Sequence, residues 1–163
     1  MQKNLQTLLP MLRRFAYSLT GSKADADDVV QITIEKLLVK GIPEGVEPAK
    51  WAFKVCRNVW IDEYRSRKVR QEAVQNEHLQ EPVSTDEHSA LEQKQLLEKV
   101  NSALGDLPDE QRAIVSLVAV QGMAYKEVAQ VLDIPIGSVM SKLSRARSAL
   151  YSLIKPDFNE EQA

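Results

Sequence analysis

Apolar side chains recur along most of the chain at steps of three and four residues, the spacing that places them on one face of an α-helix. The first such series contains Leu5, Leu8, Leu12, Phe15 and Leu19. Pro10 lies inside this series and predicts a kink or a later start, because proline removes a helical hydrogen bond and crowds the preceding turn. Strand-like alternation is not prominent, so the pattern predicts an all-α fold.

A second helix is predicted to follow Ser22, because serine caps helix N-termini well. Three aspartates come next, near the end of the helix where its dipole favours negative charge. Val30, Ile34 and Leu37 form an apolar stripe on this helix. A mostly polar face lies about half a turn away, and it consists of Asp28, Gln31, Ile32 and Glu35.

Glycine and proline interrupt the pattern over residues 40–48, and a long helix is predicted from about residue 49 to residue 70. Residues 71–88 are polar, acidic and weakly periodic, which is typical of a flexible linker. From Ala90 a helical series resumes, and three further helices are predicted over 109–121, 125–132 and 136–155. The predicted architecture is therefore two small helical domains, residues 1–70 and 89–156, with the linker 71–88 between them and a tail over 157–163.

Composition narrows the classes of protein to which the chain can belong. The hydrophobic fraction of 44% is enough for packed cores. The single cysteine, Cys56, excludes an internal disulfide and a CxxC metal site, and we expect it to be a buried packing residue. No apolar run approaches the roughly 20 residues of a membrane span, and the first residues lack the pattern of a signal peptide. We therefore expect a cytoplasmic protein without membrane insertion.

Charge is distributed unevenly along a chain whose formal net charge is −2. Basic residues exceed acidic ones by five in residues 1–70, whereas acidic residues exceed basic ones by five in residues 71–104. The segment 136–155 carries two lysines, two arginines and no acid. A purely basic helix in a slightly acidic protein indicates that charge has to be interpreted segment by segment.

Residues 125–150 have the spacing of a helix-turn-helix, with a tight Asp-Ile-Pro turn at 133–135. On the second helix the predicted buried stripe contains Val139, Leu143, Ala146, Leu150 and Leu153. The opposite side carries Ser138, Ser141, Lys142, Arg145 and Ser148, with Met140 and Arg147 on the flank. Small hydroxyls let a helix lie deep in a major groove, and lysine and arginine reach base edges or phosphates. The alternative is a solvated basic face on an ordinary bundle helix.

The long helix of residues 49–70 has two apolar arcs. The first contains the small residues Ala52, Val55, Cys56 and Val59 and is suited to a core contact. The second places Phe53, Trp60 and Tyr64 beside Arg57, Arg67 and Lys68. Aromatic rings stack on bases and cations hold phosphates in proteins that bind single-stranded nucleic acid. It stays open at this point whether the aromatic residues serve that purpose or belong to the core.

Three segments, in this order and with these gaps, resemble the extracytoplasmic-function (ECF) sigma factors, the smallest class of bacterial RNA polymerase specificity subunit. The segment FAYSLTGSKADADDVVQ is similar to the family's region 2 helix that docks on the polymerase β′ coiled coil. The segment WAFKVCRNVWIDEYRSR follows the family pattern of Trp, Arg-Asn, Asp and Arg in the helix that handles the melted −10 element. Residues 107–150 resemble region 4, whose helix-turn-helix reads the −35 element.

The resemblance implies partners and contact residues. Core RNA polymerase would be bound through its β′ coiled coil and β flap, the former contacting Asp28, Gln31, Ile32 and Glu35. At the −10 element of promoter DNA the contacts would come from Arg57, Asn58, Trp60, Tyr64, Arg65 and Arg67, with the loop 40–48 beside a flipped nucleotide. At the −35 element they would come from Ser138, Ser141, Lys142 and Arg145, and from Arg147 at the flank. The resemblance also implies control by an anti-sigma factor. It implies neither a cofactor nor a catalytic role for this chain.

Two positions depart from the family pattern in ways that bear on local structure. Ala124 stands where serine is usual before the helix-turn-helix, so that helix cap is predicted to be weaker. Asp133 replaces the usual glycine of the turn, and aspartate tolerates left-handed geometry better than most residues. Met140 and Ser144 replace a common lysine and a common histidine, which leaves the preferred −35 sequence open.

Two other classes of function fit parts of the sequence. A stand-alone helix-turn-helix regulator explains residues 109–155 but leaves the Trp-Arg-Asn-Asp-Arg helix without a purpose. A metalloenzyme could use a cluster in the linker: Glu77, His78, Glu81, Asp86, Glu87 and His88. That segment lacks the periodicity that would hold ligands in place, so a solvated linker is the simpler interpretation.

Overall fold

The computed structural model describes the backbone of residues 2–65 and 88–161 and the side chains of residues 5–64 and 90–154. These stretches form helices and no strand, which confirms the predicted all-α fold. The first stretch contains α1 (Gln2–Thr20), α2 (Lys23–Lys40) and α3 (Pro48–Val59), which continues as a π-helical turn over Trp60–Arg65. The second contains α4 (His88–Gly105), α5 (Asp109–Val115) with a π-helical turn over Ser116–Val120, α6 (Tyr125–Leu132) and α7 (Ile136–Glu161).

Local signals explain where the helices of the first stretch begin and end. The Ser22 hydroxyl accepts a hydrogen bond from the Asp25 amide at 3.4 Å and so caps α2 as predicted. Gly41 ends α2 with a φ of 73°, a conformation that glycine adopts readily because it lacks a Cβ. Helix α1 begins before Pro10, so the predicted later start is wrong. Residues 71–87 of the predicted linker lie outside the described residues, whereas His88 already belongs to α4.

The core of the first stretch is formed by one face of each of α1, α2 and α3. The rings of Phe15 and Phe53 meet edge to face, with centroids 5.3 Å apart, an arrangement that adds about 0.5–1.5 kcal/mol to the area they bury. Cys56 is fully buried beside Thr33, and its burial raises the pKa of the thiol to about 12. At neutral pH this cysteine is therefore a packing group, as predicted, because a protonated thiol is a poor nucleophile.

The two stretches pack against each other and share one hydrophobic cluster. Helix α1 contacts α4 and the turn Ser116–Val120, and α3 contacts α6. Val128 and Val131 of α6 belong to the same buried cluster as Leu12 and Phe53. The side chain of Arg112 crosses the boundary, and its Nε donates to the Ser18 carbonyl oxygen at 2.8 Å. Residues that the sequence assigned to two tethered domains thus form one continuous interior.

Candidate nucleic-acid and polymerase interfaces

A left-handed residue joins the two helices of the helix-turn-helix. Asp133 ends α6 with φ 59° and ψ 46°, the one non-glycine residue with positive φ in the described part of the chain. Its amide donates to the Ala129 carbonyl, which closes the turn before α7. Ala124 stands at the N-cap of α6 and makes no side-chain cap bond, so the expectation of a weak cap is confirmed.

Both the buried stripe and the outer face of α7 differ from the predicted ones. Val139, Leu143 and Ala146 are buried against the rest of the second stretch, but Leu153 of the predicted stripe is exposed. Facing away from the core are Ser141, Ser144, Arg145 and Ser148, all exposed. Ser144 was not part of the predicted outer face, although a projection at 100° per residue places it within about 60° of Ser141 and about 40° of Ser148. The solvent-facing surface is therefore a hydroxyl-rich strip with Arg145 along one edge.

Lys142 does not project freely from this face. Its ammonium forms an ion pair and hydrogen bond with the Glu110 carboxylate of α5, and the two side chains are 30% and 31% exposed. Ser138 is half-buried. The groove-facing role of Lys142 and Arg145 stays a prediction, and in the structure the Lys142 ammonium is directed toward Glu110 of α5.

Arg147 lies on the flank of α7, as predicted, where it is exposed. Its guanidinium donates a long hydrogen bond of 3.4 Å to the Tyr125 hydroxyl at the start of α6. Ser141, on the outer face, donates its hydroxyl to the Gly137 carbonyl at 2.9 Å. A serine bonded in this way keeps its oxygen lone pairs free to accept from a base edge or a backbone donor.

On α3 the aromatic residues Phe53 and Trp60 belong to the core together with the small-residue arc. Trp60 is 2% exposed and Phe53 is equally buried, so neither ring can stack on a base from this position. Trp51 and Tyr64 are half-buried instead. The Lys54 ammonium lies 5.5 Å from the centre of the Trp51 ring, a cation–π contact. The aromatic and basic residues that remain accessible are thus centred on Trp51 and Lys54 rather than on Trp60.

Arg57 and Asn58 lie on this accessible side of α3. Asn58 is exposed, and its side-chain oxygen accepts from the Arg57 guanidinium at 3.3 Å. Among the described residues, Arg57 Nε is the one buried side-chain nitrogen or oxygen without a hydrogen-bond partner. Such a group is uncommon, because leaving a buried donor unpaired costs free energy. The Arg65 side chain and the whole of Arg67 lie outside the described residues.

The polar face of α2 lies open to solvent where the sequence pattern placed it. Asp28, Gln31 and Glu35 are exposed, and Ile32 is half-buried at the edge of the core. Lys36 pairs with Glu63 of the π-helical turn at 2.7 Å, and this contact holds the end of α3 against α2. No sequence pattern predicts this pair, because its members are far apart in the chain.

The metal-site alternative falls outside the side chains that the structure describes, because its candidate ligands are at positions 77–88. Within the described part of the chain no cluster of three or more His, Cys, Asp or Glu residues could hold a metal ion. No described helix is both long and apolar enough to cross a membrane.

Two family models match this chain, Sigma-70 region 2 over residues 5–70 and Sigma-70 region 4 over residues 97–150. The chain is 30% identical over 164 residues to the ECF RNA polymerase sigma factor EcfG of Rhodopseudomonas palustris, which covers 99% of this chain and 88% of that protein. It is 34% identical over 145 residues to the ECF RNA polymerase sigma factor SigL of Mycobacterium tuberculosis, covering 86% and 80% of the two chains.

A solved structure is similar over nearly the whole fold. The sigma factor RpoE of Bartonella quintana, crystallised in complex with the anti-sigma factor NepR, matches with a TM-score of 0.74 and 28% identity over 94% of this chain and 96% of that one. Regions 2 and 4 in this order define the sigma-70 class of transcription initiation proteins. Within that class, the chain belongs to the ECF RNA polymerase sigma factors.

Proposed function

We propose that this ECF sigma factor docks on core RNA polymerase through the α2 face, holds the opened −10 strand along α3 and reads the −35 duplex with α7. The observation that carries the proposal is the outer face of α7, where Ser141, Ser144 and Arg145 are exposed and no acid intervenes. Phosphates would repel a carboxylate on that face, and hydroxyls and arginine are the groups that bind DNA. The catalytic step of transcription would be carried out by the polymerase, in the cytoplasm.

Run-off transcription from a promoter library tests the proposed function. Core polymerase with this chain should initiate from a defined subset of promoters that core polymerase alone does not use. The chain by itself should show no strong binding to duplex DNA, because its near-neutral charge supplies little counterion release. Tight duplex binding without polymerase, together with no new transcripts, would instead indicate a stand-alone regulator.

Arg145→Ala should weaken initiation by about 1–3 kcal/mol and relax preference at one or two −35 positions, if the guanidinium contacts a base.

Lys142→Ala should lower the yield from all −35 sequences alike, because it removes the ion pair with Glu110 that positions α7. Initiation from promoters with a randomised −35 element measures both effects. Arg147→Ala is the control on the flank of α7. It should lower the slope of log affinity against log salt concentration by about one, the effect of losing one phosphate contact. Unchanged preference and yield in Arg145→Ala would exclude α7 as the reader.

An anti-sigma factor is the expected regulatory partner, as in the Bartonella complex with NepR. A groove of about 420 Å³ lies between α1 and α2 on one side and α4 on the other. Its lining includes apolar side chains of α4, and three bases against one acid: Leu97, Val100, Leu104, Arg13, Arg14, Lys23 and Asp27. The expected occupant is an amphipathic helix of the regulator that places acidic side chains against these bases.

A further inference from the structure

Helix α7 carries two exposed apolar side chains near its N-terminus, beside the hydroxyl-rich strip. Ile136, the first residue of α7, is 48% exposed, and Met140 is 53% exposed. They are four residues apart, so they lie on the same side of the helix, one turn above the other. Val139 and Leu143, which flank Met140 along the chain, are buried in the core instead. The pair Ile136 and Met140 therefore belongs to the outer surface of α7 rather than to the hydrophobic core.

The neighbours of Met140 on the outer face are short. Gly137 precedes it by three residues and Ser144 follows it by four, and both are exposed. Residues at these spacings adjoin each other on the surface of a helix. The Arg147 guanidinium lies about two turns further along α7 and is bonded to the Tyr125 hydroxyl. The thioether of Met140 is therefore open to any partner that the outer face of α7 receives.

Met140 and Arg145 lie toward opposite edges of the outer face. Met140 precedes Arg145 by five residues, which corresponds to about 140° around the helix axis and about 7.5 Å along it. That rise exceeds two base-pair steps of about 3.4 Å each. The N-terminal residues of the second helix in a helix-turn-helix are the ones that contact base edges. In a groove that holds α7, the two side chains therefore reach different base pairs.

The major-groove edges of the four bases include one apolar group, the C5-methyl of thymine. A thioether is a weak hydrogen-bond acceptor and no donor, but it is flexible and polarisable and packs well on apolar groups. We propose that Met140, with Ile136 one turn before it, recognises a thymine methyl group in the −35 element. Met140 thereby selects an A·T pair at a position other than the one that Arg145 contacts. The inference rests on the proposed function, because it requires α7 to lie in the −35 major groove.

Replacing thymine by uracil in the promoter tests the proposal, because uracil lacks the methyl group and keeps the hydrogen-bonding groups of the base. Initiation from promoters with a randomised −35 element first defines the preferred sequence. Each thymine of that element, on either strand, is then replaced singly by deoxyuridine. Fluorescence anisotropy measures the affinity of the complex of core polymerase and this chain for each promoter. At one thymine the wild type should lose affinity by about fourfold, the factor that corresponds to removing one buried methyl-sized group.

Three variants separate Met140 from other sources of discrimination. Met140→Ala should bind the thymine and uracil promoters equally, because its side chain is too short to reach the methyl group. Met140→Leu should keep the discrimination, because it retains an apolar side chain of similar length. Leu153→Ala is the matched control, because it removes an exposed apolar side chain of α7 that lies away from the outer face, and it should discriminate as the wild type does.

Two results would overturn the role of Met140. A preferred −35 element without thymine, or one in which every thymine tolerates uracil, would mean that no methyl group is recognised. A loss on uracil substitution that persists in Met140→Ala would assign the methyl contact to another side chain. Either result leaves the proposed function intact. A wild type without any −35 preference would instead contradict the reading role of α7 itself, and the methyl contact with it.

Discussion

Replacing Trp60 by alanine will lower the free energy of unfolding by about 3–5 kcal/mol, the usual effect of removing a large aromatic side chain from a packed core. Trp60 is among the largest fully buried side chains of the described residues, and it lies where α3 passes into its π-helical turn. Close-packed side chains cannot fill the cavity left by the indole without moving the backbone. Urea unfolding followed by circular dichroism measures the change.

Trp51→Ala is the matched control, because the two tryptophans lie on the same helical segment with different exposure. Trp51 is half-buried, so its removal should destabilise the protein much less. It should instead reduce promoter opening, read by permanganate reactivity, if its ring stacks on a base at about 1–3 kcal/mol. A Trp60→Ala protein of normal stability that fails only in promoter opening would restore Trp60 as the stacking residue and contradict its assignment to the core.

The double variant Asp28→Arg/Gln31→Arg will lose binding to core polymerase by more than about tenfold, or at least roughly 1.4 kcal/mol, if the α2 face is the docking surface. Both side chains are exposed, so the substitutions leave the core of the first stretch unchanged. Reversing the charge pattern of a complementary interface places like charges together, which costs several kcal/mol. Biolayer interferometry with immobilised core enzyme measures the affinity.

Glu92→Arg/Gln93→Arg is the control for that experiment. It introduces two arginines in place of an exposed acid and an exposed glutamine on α4, away from the α2 face. Circular dichroism should show unchanged helical content in both variants. Equal affinity of wild type and the α2 variant would remove α2 from the docking surface, whereas equal losses in the two variants would indicate a non-specific effect of charge.

Secondary structure could be predicted from the sequence wherever the signal is local. Helix α6 has the predicted bounds, because an apolar periodicity leads directly into the Asp133-Ile134-Pro135 turn. The cap at Ser22 and the exposed face of Asp28, Gln31 and Glu35 were predicted for the same reason. These features depend on residues within about one helical turn of each other, and a sequence pattern records such neighbours directly.

Contacts between distant residues were decided by the tertiary structure. Helix α3 carries two apolar arcs, and its own sequence does not say whether the aromatic arc joins the small residues in the core. Packing buried Phe53 and Trp60 and left Trp51 accessible. The pair of Lys142 with Glu110, which turns a predicted DNA contact toward α5, spans 32 positions along the chain. Periodicity carries no information about such a pair.

The sequence by itself determined the all-helical fold and the helix-turn-helix. It also determined the polar face of α2 and the polar outer face of α7, because each of these features arises from the spacing of residues close together in the chain. Only the tertiary structure decided that residues 2–65 and 88–161 share one hydrophobic cluster and that the Arg112 side chain forms a hydrogen bond across their boundary. Arg112 follows the polar segment 109–111, and its local pattern is the same whether it is solvated or bonded to a carbonyl 94 positions away. The physical reason is that burial of a charged group depends on the acceptor it finds, and that acceptor is supplied by folding rather than by neighbouring residues.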